Sequence, residues 1–549
     1  MKISIRVPKG TVPRTSPLLI QSDYAQVAEN CDLHRGEIRP LKKPLLTTTL
    51  TLMGAFIKSI YLWRVGTGGD DYWLRFKDDV DVIRSPIADD AYSRIYWSGD
   101  SRMDDAVLYS YTPAIYTGGS EYPANYFKLG IPAPTNPPTA VIDGTPPENT
   151  SDEARFYVFT YVGKLGEEGP PSPVSERLIV ASDGASVVLT NLVVDLSASA
   201  GREIVAIRIY RTLTGSYGSS FQFVAQVGIT GAAYTDTKDG TELAEAIVSE
   251  TWDPPRVGMK GLGITQQGVA FGFFGKIICF SELFKPYAWP RDYELTAFDD
   301  VVAVGYYDAH FIVGTNGRPV MITGIDPASL SQQELPIIEA CVSKRSMVSM
   351  GFCAIYASPN GLVMASGSSA QLVTTSLFTK EEWETLNPSS IHAYEHRGKY
   401  LFFWKVSETE KGGFIFDPKN VADGILSTDQ WFSSGFRDLT TDTLYLLGDD
   451  GEVFAWDSGD PLRFRWRSKR FRMNKPVQYV VGRVTAEDYE DVTFRVYADG
   501  ELRHEEAVSS GRAFRMPRDG MVKQWELEVS GTSPVQELVI SESMTELQE

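Results

Sequence analysis

The stretch VVAVGYYDAHFIVGTNGRPVMITG at residues 301–324 has the pattern of paired β-strands, in which apolar runs are separated by turn residues. Four further stretches between Gly258 and Asp460 have the same pattern. They are GVAFGFFGKIICFSE (268–282), GFCAIYASPNGLVMAS (351–366), HAYEHRGKYLFFW with GGFIFDP (392–418) and DTLYLLGDDGEVFAWD (442–457). This recurrence predicts one supersecondary unit repeated along the chain.

The spacing of the repeat indicates which fold the units build. Taking Phe271, Val304, Cys353, Ala393 and Leu444 as equivalent gives steps of 33, 49, 40 and 51 residues. An average near 43 residues is the blade length of a β-propeller, where four-stranded sheets pack radially. The strand pattern of residues 54–111 can supply further blades, so we expect about six or seven in total.

Two modules outside the repeat are predicted to be β-sandwiches. ARFYVFTYVG, EIVAIRIYRT and SFQFVAQVG fall in about 100 residues that follow the Pro-rich linker 130–149, a footprint typical of an immunoglobulin- or fibronectin-like sandwich. Period-2 strands also fill the last 85 or so residues. The predicted division is an arm at 1–50, first propeller strands at 51–140, the inserted sandwich at 141–255, the rest of the propeller at 256–460 and the C-terminal sandwich at 461–549.

Helices are expected at two short places in this all-β chain. DYAQVAEN at 23–30 is a helical candidate that Asp23 could cap. TKEEWETLNP at 379–388 carries a capping box formed by Thr379 and Glu382.

Charge and composition exclude several classes of function. The 52 basic and 71 acidic residues leave a net charge of −19, which disfavours a bulk nucleic-acid binder. No apolar run is long enough for a transmembrane helix, and we expect no secretory signal at the N-terminus. Four cysteines without a C-x-x-C pair favour a reduced, cytosolic assembly compartment.

Motifs for catalysis are weak throughout the sequence. GFFGKI at 272–277 lacks the first Gly and the Ser or Thr of a phosphate-binding loop. His392 and His396 would share one side of a strand, but no third metal ligand is indicated. We therefore expect no enzymatic activity, no catalytic residue and no cofactor.

Acidic pairs recur along the chain and are interpreted mainly as solvated turns. Two alternatives stay open for them, a calcium site and a pair of glycosidase carboxylates. The pairs are Asp70–Asp71, Asp78–Asp79, Asp89–Asp90, Asp104–Asp105, Asp299–Asp300 and Asp449–Asp450.

The strip RFRWRSKRFR at 463–472 is the one basic cluster of the sequence. Period 2 predicts that Phe464 and Trp466 lie on one strand face, and that four cations lie on the other. Those cations are Arg463, Arg465, Arg467 and Lys469. Contact with an acidic neighbouring subunit is favoured over binding of single-stranded nucleic acid.

Several phrases together resemble the tail nozzle or tail-hub proteins of short-tailed bacteriophages. They are AQVAENCDLHRGEIRPL (25–41), YFKLGIPAP (126–134), YVFTYVGKLGEEGPPSP (157–173), FSELFKPYAWP (280–290), HFIVGTNGRPVMITG (310–324) and FIFDPK (414–419). The resemblance covers most of the chain. No gate residue can be carried over from the family, because no gate motif matches position by position.

The resemblance implies a structural virion protein built on a β-propeller with added β domains. It also implies a sixfold ring of identical chains below the portal and adaptor, with tail fibre or tailspike proteins as neighbours and a lumen through which double-stranded DNA passes without specific binding. Net acidity suits such a duct. Two other classes stay open: a propeller-type glycoside hydrolase or lyase acting on host surface polysaccharide, and a receptor-binding tail protein.

Overall fold

The computed structural model describes residues 1–52, 56–64, 71–111, 123–144, 153–180, 185–213, 220–518 and 520–547. Within these ranges nearly all regular structure is β-strand, which confirms the all-β class. The chain divides into two compact units. One comprises Met1–Phe56, Val302–Thr323 and Gln332–Glu549, and the other comprises Ile57–Val301 and Gly324–Ser331. We refer to them as the first and the second unit; the five-part division of the sequence stays a prediction.

The strands of the described chain are short and follow one another closely. The first are β1 (Lys2–Ile5), β2 (Ala25–Glu29), β3 (Cys31–Asp32), β4 (Arg39–Pro40), β5 (Leu45–Thr49), β6 (Ser59–Arg64), β7 (Asp71–Phe76), β8 (Asp81–Arg84), β9 (Ile95–Ser98), β10 (Leu108–Ser110), β11 (Phe127–Lys128) and β12 (Thr139–Ile142). Next come β13 (Glu153–Arg155), β14 (Tyr157–Gly163), β15 (Leu178–Val180), β16 (Val187–Thr190), β17 (Ile204–Leu213), β18 (Ser220–Gly228) and β19 (Tyr234–Asp236).

The repeat region then follows. Its strands are β20 (Lys260–Ile264), β21 (Ala270–Phe274), β22 (Ile277–Phe280), β23 (Leu295–Thr296), β24 (Val301–Tyr307), β25 (His310–Thr315), β26 (Val320–Thr323), β27 (Ser331–Glu334), β28 (Val348–Ser349), β29 (Ala354–Ser358), β30 (Gly361–Ser366) and β31 (Ser369–Leu372). They continue as β32 (His392–His396), β33 (Lys399–Lys405), β34 (Lys411–Phe416), β35 (Ile425–Thr428), β36 (Ser434–Asp438), β37 (Thr443–Leu447) and β38 (Glu452–Ala455).

The last strands and the helices complete the described structure. The strands are β39 (Phe464–Ser468), β40 (Phe471–Val477), β41 (Val481–Ala486), β42 (Val492–Ala498), β43 (Glu501–Ala507), β44 (Phe514–Arg515), β45 (Val522–Gly531) and β46 (Val535–Ser541). The α-helices are α1 (Leu196–Ser199) and α2 (Lys380–Thr385), and 3₁₀ turns lie at Gly240–Glu242, Arg291–Tyr293, Pro327–Ser329, Lys344–Ser346, Pro388–Ser390, Val421–Asp423 and Thr545–Leu547. No helix in these ranges is long and apolar enough to cross a membrane.

In the first unit, four-stranded antiparallel sheets follow one another as propeller blades do. Three blades take their strands in sequence order: β24 to β27 and β28 to β31 are separate sheets, and β32 to β35 form one end of a ten-stranded sheet. The next sheet consists of β36, β37 and β38, and β5 from the start of the chain supplies its fourth strand. Closure of a blade by a distant strand removes an exposed sheet edge.

The faces of successive blades pack together, because a single four-stranded sheet cannot bury both faces alone. Ile312 of β25 lies in one core with Ala354 of β29. Ile355 of the same strand lies in another core with Phe402 of β33. Phe403 then packs in a third core with Leu444 of β37. These shared cores confirm the β-propeller type of packing.

The residues that the sequence pattern treats as equivalent do not occupy one strand position. Phe271 and Leu444 lie in the second strands of their blades, whereas Val304 and Ala393 lie in the first. Second strands begin at residues 270, 310, 354, 399 and 443, which gives steps of 40, 44, 45 and 44. The average spacing of the prediction is therefore close to the structural repeat, although its alignment slips by one strand.

The second unit contains two more four-stranded sheets, β8 to β11 and β20 to β23, together with the hairpin of β6 and β7. Tyr96 and Tyr109 of the first sheet share a core with Leu262, Ala270 and Cys279 of the second. These sheets have the same order and the same face-to-face packing as the blades of the first unit.

Both predicted sandwiches are present. In the second unit, the sheets β12-β16-β19 and β14-β17-β18 enclose a core that includes Phe159, Leu189 and Ile207. In the first unit, the sheet β1-β46-β41-β44 packs on the strands β39, β45, β42 and β43, with Leu527 and Leu538 in the shared core.

The predicted helix at 23–30 is wrong, because this segment forms strand β2. It pairs in parallel with β35 through Glu29 and Ser427, and antiparallel with β39 through Ala28 and Trp466. Ala28 is fully buried between these neighbours. Backbone pairing on both sides therefore overrides the local helical preference.

The predicted capping box at 379–388 is confirmed. Thr379 Oγ1 accepts a bond from the Glu382 amide at 3.2 Å, and Glu382 Oε2 accepts one from the Thr379 amide at 2.8 Å. Trp383 of the same helix, α2, is fully buried and anchors it to the blade core.

Candidate functional site

A cavity of about 230 Å³ opens in the first unit, and we call it the Asp32 cavity. Strands β3, β32, β33, β34 and β35 line it, together with the turn after β32 and the segments that follow β4 and β38. Its lining residues are Cys31, Asp32, His34, Leu41, His396, Arg397, Lys399, Leu401, Ile415, Leu426, Trp456 and Asp457. Two phrases of the family resemblance meet here, since 25–41 supplies four of these residues and 414–419 supplies Ile415.

Asp32 forms an ion pair at the rim of the cavity. Its Oδ1 lies 2.8 Å from Lys399 Nζ and accepts a second bond from the His34 amide at 3.1 Å. Burial acts to raise the pKa of Asp32, but Lys399 and the His34 amide outweigh it, so the pKa lies below its usual value. Asp32 is therefore an ionised acceptor at neutral pH.

Asp457 forms a second ion pair on the same rim. Its Oδ2 lies 2.6 Å from Arg397 Nη1, and its Oδ1 accepts a bond from the Lys42 amide at 2.7 Å. Asp457 has a positive φ of 52°, which points to a tight turn directly after β38. The two carboxylates and two cations of the rim balance in charge.

His396 adds an imidazole to the cavity wall. Its Nε2 is buried and has no hydrogen-bond partner among the described residues. Burial and the neighbouring Arg397 lower the pKa of His396, so the ring is neutral at neutral pH. The ring therefore adds no charge to the cavity wall.

The other histidine of the predicted pair has a structural role. His392 stacks on Phe403 with ring centroids 5.5 Å apart, and burial lowers its pKa to about 4. In the part of the chain that the structure describes, no group of three or more His, Cys, Asp or Glu side chains is arranged to hold a metal ion.

The floor of the cavity is apolar. Leu401, Ile415, Leu426 and Trp456 are all buried and belong to the same core. Cys31, also on the floor, is a free and fully buried thiol whose pKa burial raises strongly. An apolar floor under a polar, charge-balanced rim is the usual lining of a small-molecule site.

A second cavity of about 330 Å³ continues from the first. The two share His34, Lys399, Ile415 and Leu426. The second adds Lys9, Asp417 and Asp423 to its lining, so that polar groups extend along the opening. The groove is therefore longer than the Asp32 cavity alone.

The basic strip lies elsewhere in the first unit, on β39 and the residues that flank it. Phe464 and Trp466 face the core, 1% and 0% exposed, which confirms the predicted two-faced strand. The cations on the other face bind acidic or carbonyl groups of this same chain. Arg463 pairs with Asp491 at 2.6 Å, Arg465 with Glu528 at 3.0 Å, Arg467 with Glu526 at 2.7 Å, and Lys469 donates to the Ile20 carbonyl.

This pairing changes what the strip can do. Glu526 and Glu528 are 1% and 2% exposed, so the arginines neutralise buried carboxylates. The sequence predicts that all four cations point outward to an acidic subunit. The structure corrects this, because their main bonds are to groups of this same chain. Their contact with a partner protein stays a prediction, and Arg463 and Arg465, about half exposed, are the members accessible for it.

Most of the described acidic pairs lie in turns or bends between strands, as the sequence indicates, but several of their side chains bond residues far away in sequence. Asp78 Oδ2 accepts bonds from the amide and hydroxyl of Ser101, and Asp90 pairs with Arg94 at 2.7 Å. Asp104 and Asp105 have positive φ angles. Asp70 lies outside the described residues.

Of the residues that line the Asp32 cavity, only His396 is singled out in the sequence, as half of a histidine pair. Asp32, Lys399 and Asp457 are separated by hundreds of residues or by several strands, and no spacing links them. In the sequence, the phrases at 25–41 and 414–419 that resemble the family are the signal that includes some of these residues.

Comparison with known proteins gives no family assignment. No family model matches the chain, and no curated protein does. Among solved structures, one match is the extracellular domain of a putative hybrid two-component system from B. thetaiotaomicron, at 10% identity and a TM-score of 0.22. The match covers 92% of this chain and 59% of the length of that domain.

Two further structures show the same remoteness. The exo-β-1,3-galactanase from Phanerochaete chrysosporium is 9% identical with a TM-score of 0.17, covering 88% of this chain and 100% of its own. PorZ, a surface component of the type-IX secretion system of Porphyromonas gingivalis, is 10% identical with a TM-score of 0.26. The match covers 87% of this chain and 49% of PorZ. Such distant similarity assigns no activity, and the assignment of the fold rests on the sheets themselves.

Proposed function

We propose that the protein is a structural virion component, the tail nozzle or hub of a short-tailed bacteriophage. In this proposal six copies form a ring below the portal and adaptor in the virion tail, next to tail fibre or tailspike proteins, and the packaged DNA leaves through the ring. The phrases that resemble that family motivate the proposal, and one feature of the first unit carries it.

That feature is the way the first 50 residues join separate sheets. β1 pairs with β46 of the sandwich, and β5 completes a propeller blade. Between them β2 lies between β35 and β39, so that blade and sandwich belong to one continuous ten-stranded sheet. Relative movement of blade and sandwich would break backbone hydrogen bonds, which suits a component that resists the pressure of packaged DNA.

Charge supports the same role. The net charge is −19, and the cations of the basic strip are bonded to carboxylates and carbonyls of this chain. A surface that neutralises few phosphates releases few counterions and lets DNA slide. We propose that the protein has no enzymatic activity and uses no cofactor in this role.

The experiment combines the purified chain with the portal and adaptor complex of the same particle. Native mass spectrometry should then show six copies added per complex, with the free chain a monomer because weak lateral contacts need a template. Three copies, or no binding to the adaptor, would contradict the nozzle assignment. Omission of the adaptor is the control.

A second candidate is a glycan-directed surface protein, and the Asp32 cavity is the observation that favours it. Hydrolysis of a glycosidic bond needs one carboxyl that stays protonated as general acid. In this cavity Lys399 holds Asp32 ionised, and Arg397 binds Asp457. The geometry thus suits binding of a sugar better than its cleavage. An assay for release of reducing ends from host polysaccharide separates a hydrolase from a binding protein.

A further inference from the structure

We propose that the Asp32 cavity is a binding site for a single pyranose ring, the chemistry shared by a free monosaccharide and the terminal unit of a surface glycan. The inference goes beyond the nozzle role and depends only on the cavity. It also does not require catalysis.

Charge balance at the rim selects a neutral ligand. Asp32 is paired with Lys399 at 2.8 Å, and Asp457 is paired with Arg397 at 2.6 Å. A ligand with a net charge would meet an equal number of like and opposite charges, so neither a phosphate nor an ammonium group is favoured. A neutral ligand can use the rim without breaking either ion pair.

The hydrogen-bonding groups at the rim select hydroxyls. Asp32 Oδ2 accepts no bond within the described ranges, while Oδ1 accepts two. The carboxylate of Asp32 is therefore the open acceptor at the rim, since His396 Nε2 is itself buried without a partner in the described ranges. Hydroxyl groups donate and accept at once, so a polyol can donate to Asp32 Oδ2 while its other hydroxyls stay solvated.

The floor and the volume select a ring with an apolar face. Leu41, Leu401, Ile415, Leu426 and Trp456 provide the apolar surface on which C–H groups can rest. A volume of about 230 Å³ is many times the roughly 10–15 Å³ that a single bound water needs. This space fits one six-membered sugar ring, and the adjoining cavity of about 330 Å³ leaves room for the next unit of a chain.

The test uses the full-length protein and ligand-observed saturation-transfer NMR. The probes are the methyl pyranosides of glucose, galactose, mannose and N-acetylglucosamine, and, in a second arm, polysaccharide from the host surface. We expect at least one methyl pyranoside to bind, and the polysaccharide to compete with it. Absence of binding by all four pyranosides at millimolar concentration would overturn the proposal.

Variants locate the binding site. Asp32→Asn should weaken binding about tenfold or more, because the ligand hydroxyl then loses a charged acceptor on the protein. Its matched control is Asp449→Asn, which alters a similar Lys–Asp pair outside the cavity, Lys411 to Asp449 at 3.1 Å, and should leave affinity unchanged.

A second variant fills the cavity without changing its charge. Leu41→Phe adds volume at the floor and should abolish binding while circular dichroism and Tm report a folded protein. Binding of pyranoside or polysaccharide that survives both Asp32→Asn and Leu41→Phe would place the sugar elsewhere and contradict the assignment. None of these outcomes depends on ring formation, so failure here is distinguishable from failure of the nozzle proposal.

Discussion

Arg467 Nη2 lies 2.7 Å from Oε2 of Glu526, a carboxylate that is only 1% exposed. Glu526 also pairs with Arg470 at 2.8 Å and accepts a bond from Gln26 on β2 at 2.5 Å. A buried carboxylate needs such partners, since desolvation without them costs several kcal/mol. The basic strip therefore holds the sandwich to the first residues of the chain.

Arg467→Gln should destabilise the protein by about 2 kcal/mol, because Glu526 loses one of its charged partners while buried. The measurement is the free energy of unfolding of the first unit in urea. Arg463→Gln is the matched control, and its half-exposed pair with Asp491 should cost less than about 1 kcal/mol. Equal, small effects of both variants would show that the Glu526 pair contributes nothing.

Trp466→Ala should lower stability by about 3–5 kcal/mol, since its side chain is fully buried. The indole Nε1 donates to the Lys9 carbonyl at 3.0 Å, so amide exchange should also accelerate around Lys9 and in β2. Hydrogen exchange detected by mass spectrometry measures the exchange rates of both segments. Leu439→Ala, at a side chain that is 78% exposed, should change stability by less than about 0.5 kcal/mol.

Glu167 predicts a pH dependence of the second unit. Burial raises the pKa of this carboxyl to about 7, against an opposing effect of Arg94, and its Oε1 has no hydrogen-bond partner in the described ranges. The folded state therefore holds a proton between about pH 4.5 and 7 that the unfolded state has released. Stability should fall across this window as pH rises, by about 3 kcal/mol in total.

Glu167→Gln removes this titration, so the variant should not show the loss and should be more stable than the parent protein at pH 8. Urea unfolding of both proteins across the pH range measures the difference. Glu176→Gln, at an exposed carboxyl nearby in sequence, is the control and should follow the parent curve. A parent stability that rises between pH 5 and 7 relative to Glu167→Gln would have the wrong sign for this account.

Purified protein should bind duplex DNA poorly at physiological salt. The net charge of −19 repels the phosphate backbone, and Arg465 and Arg467 are bound to Glu528 and Glu526. Fluorescence anisotropy with a labelled duplex measures the affinity. Tight binding that weakens steeply with salt would contradict an inert duct wall, and a basic DNA-binding protein serves as positive control.

The strands of the blades were predictable because each pairs with its neighbour in sequence. The hairpin of β25 and β26 shows this, since its apolar pattern alone defines both strands. The alignment of the repeat could not be predicted in this way. Val304 and Leu444 lie in different strand positions, yet the apolar pattern around each of them is similar.

The partners of the first 50 residues could not be read from the sequence. Local propensity favoured a helix at 23–30, whereas β2 is fixed by strands about 400 residues away, β35 and β39. The Asp32 cavity has the same origin. Asp32 meets Lys399 only because β3 and β33 come together in the folded unit, and charge patterning within a short window contains no such information.

Electron cryomicroscopy of the intact particle tests the proposed ring most directly. We expect six copies of this chain around the tail axis, below portal and adaptor, with β2 between β35 and β39 in every copy. A trimer, a single copy at the tail, or absence of the chain from the particle would contradict it.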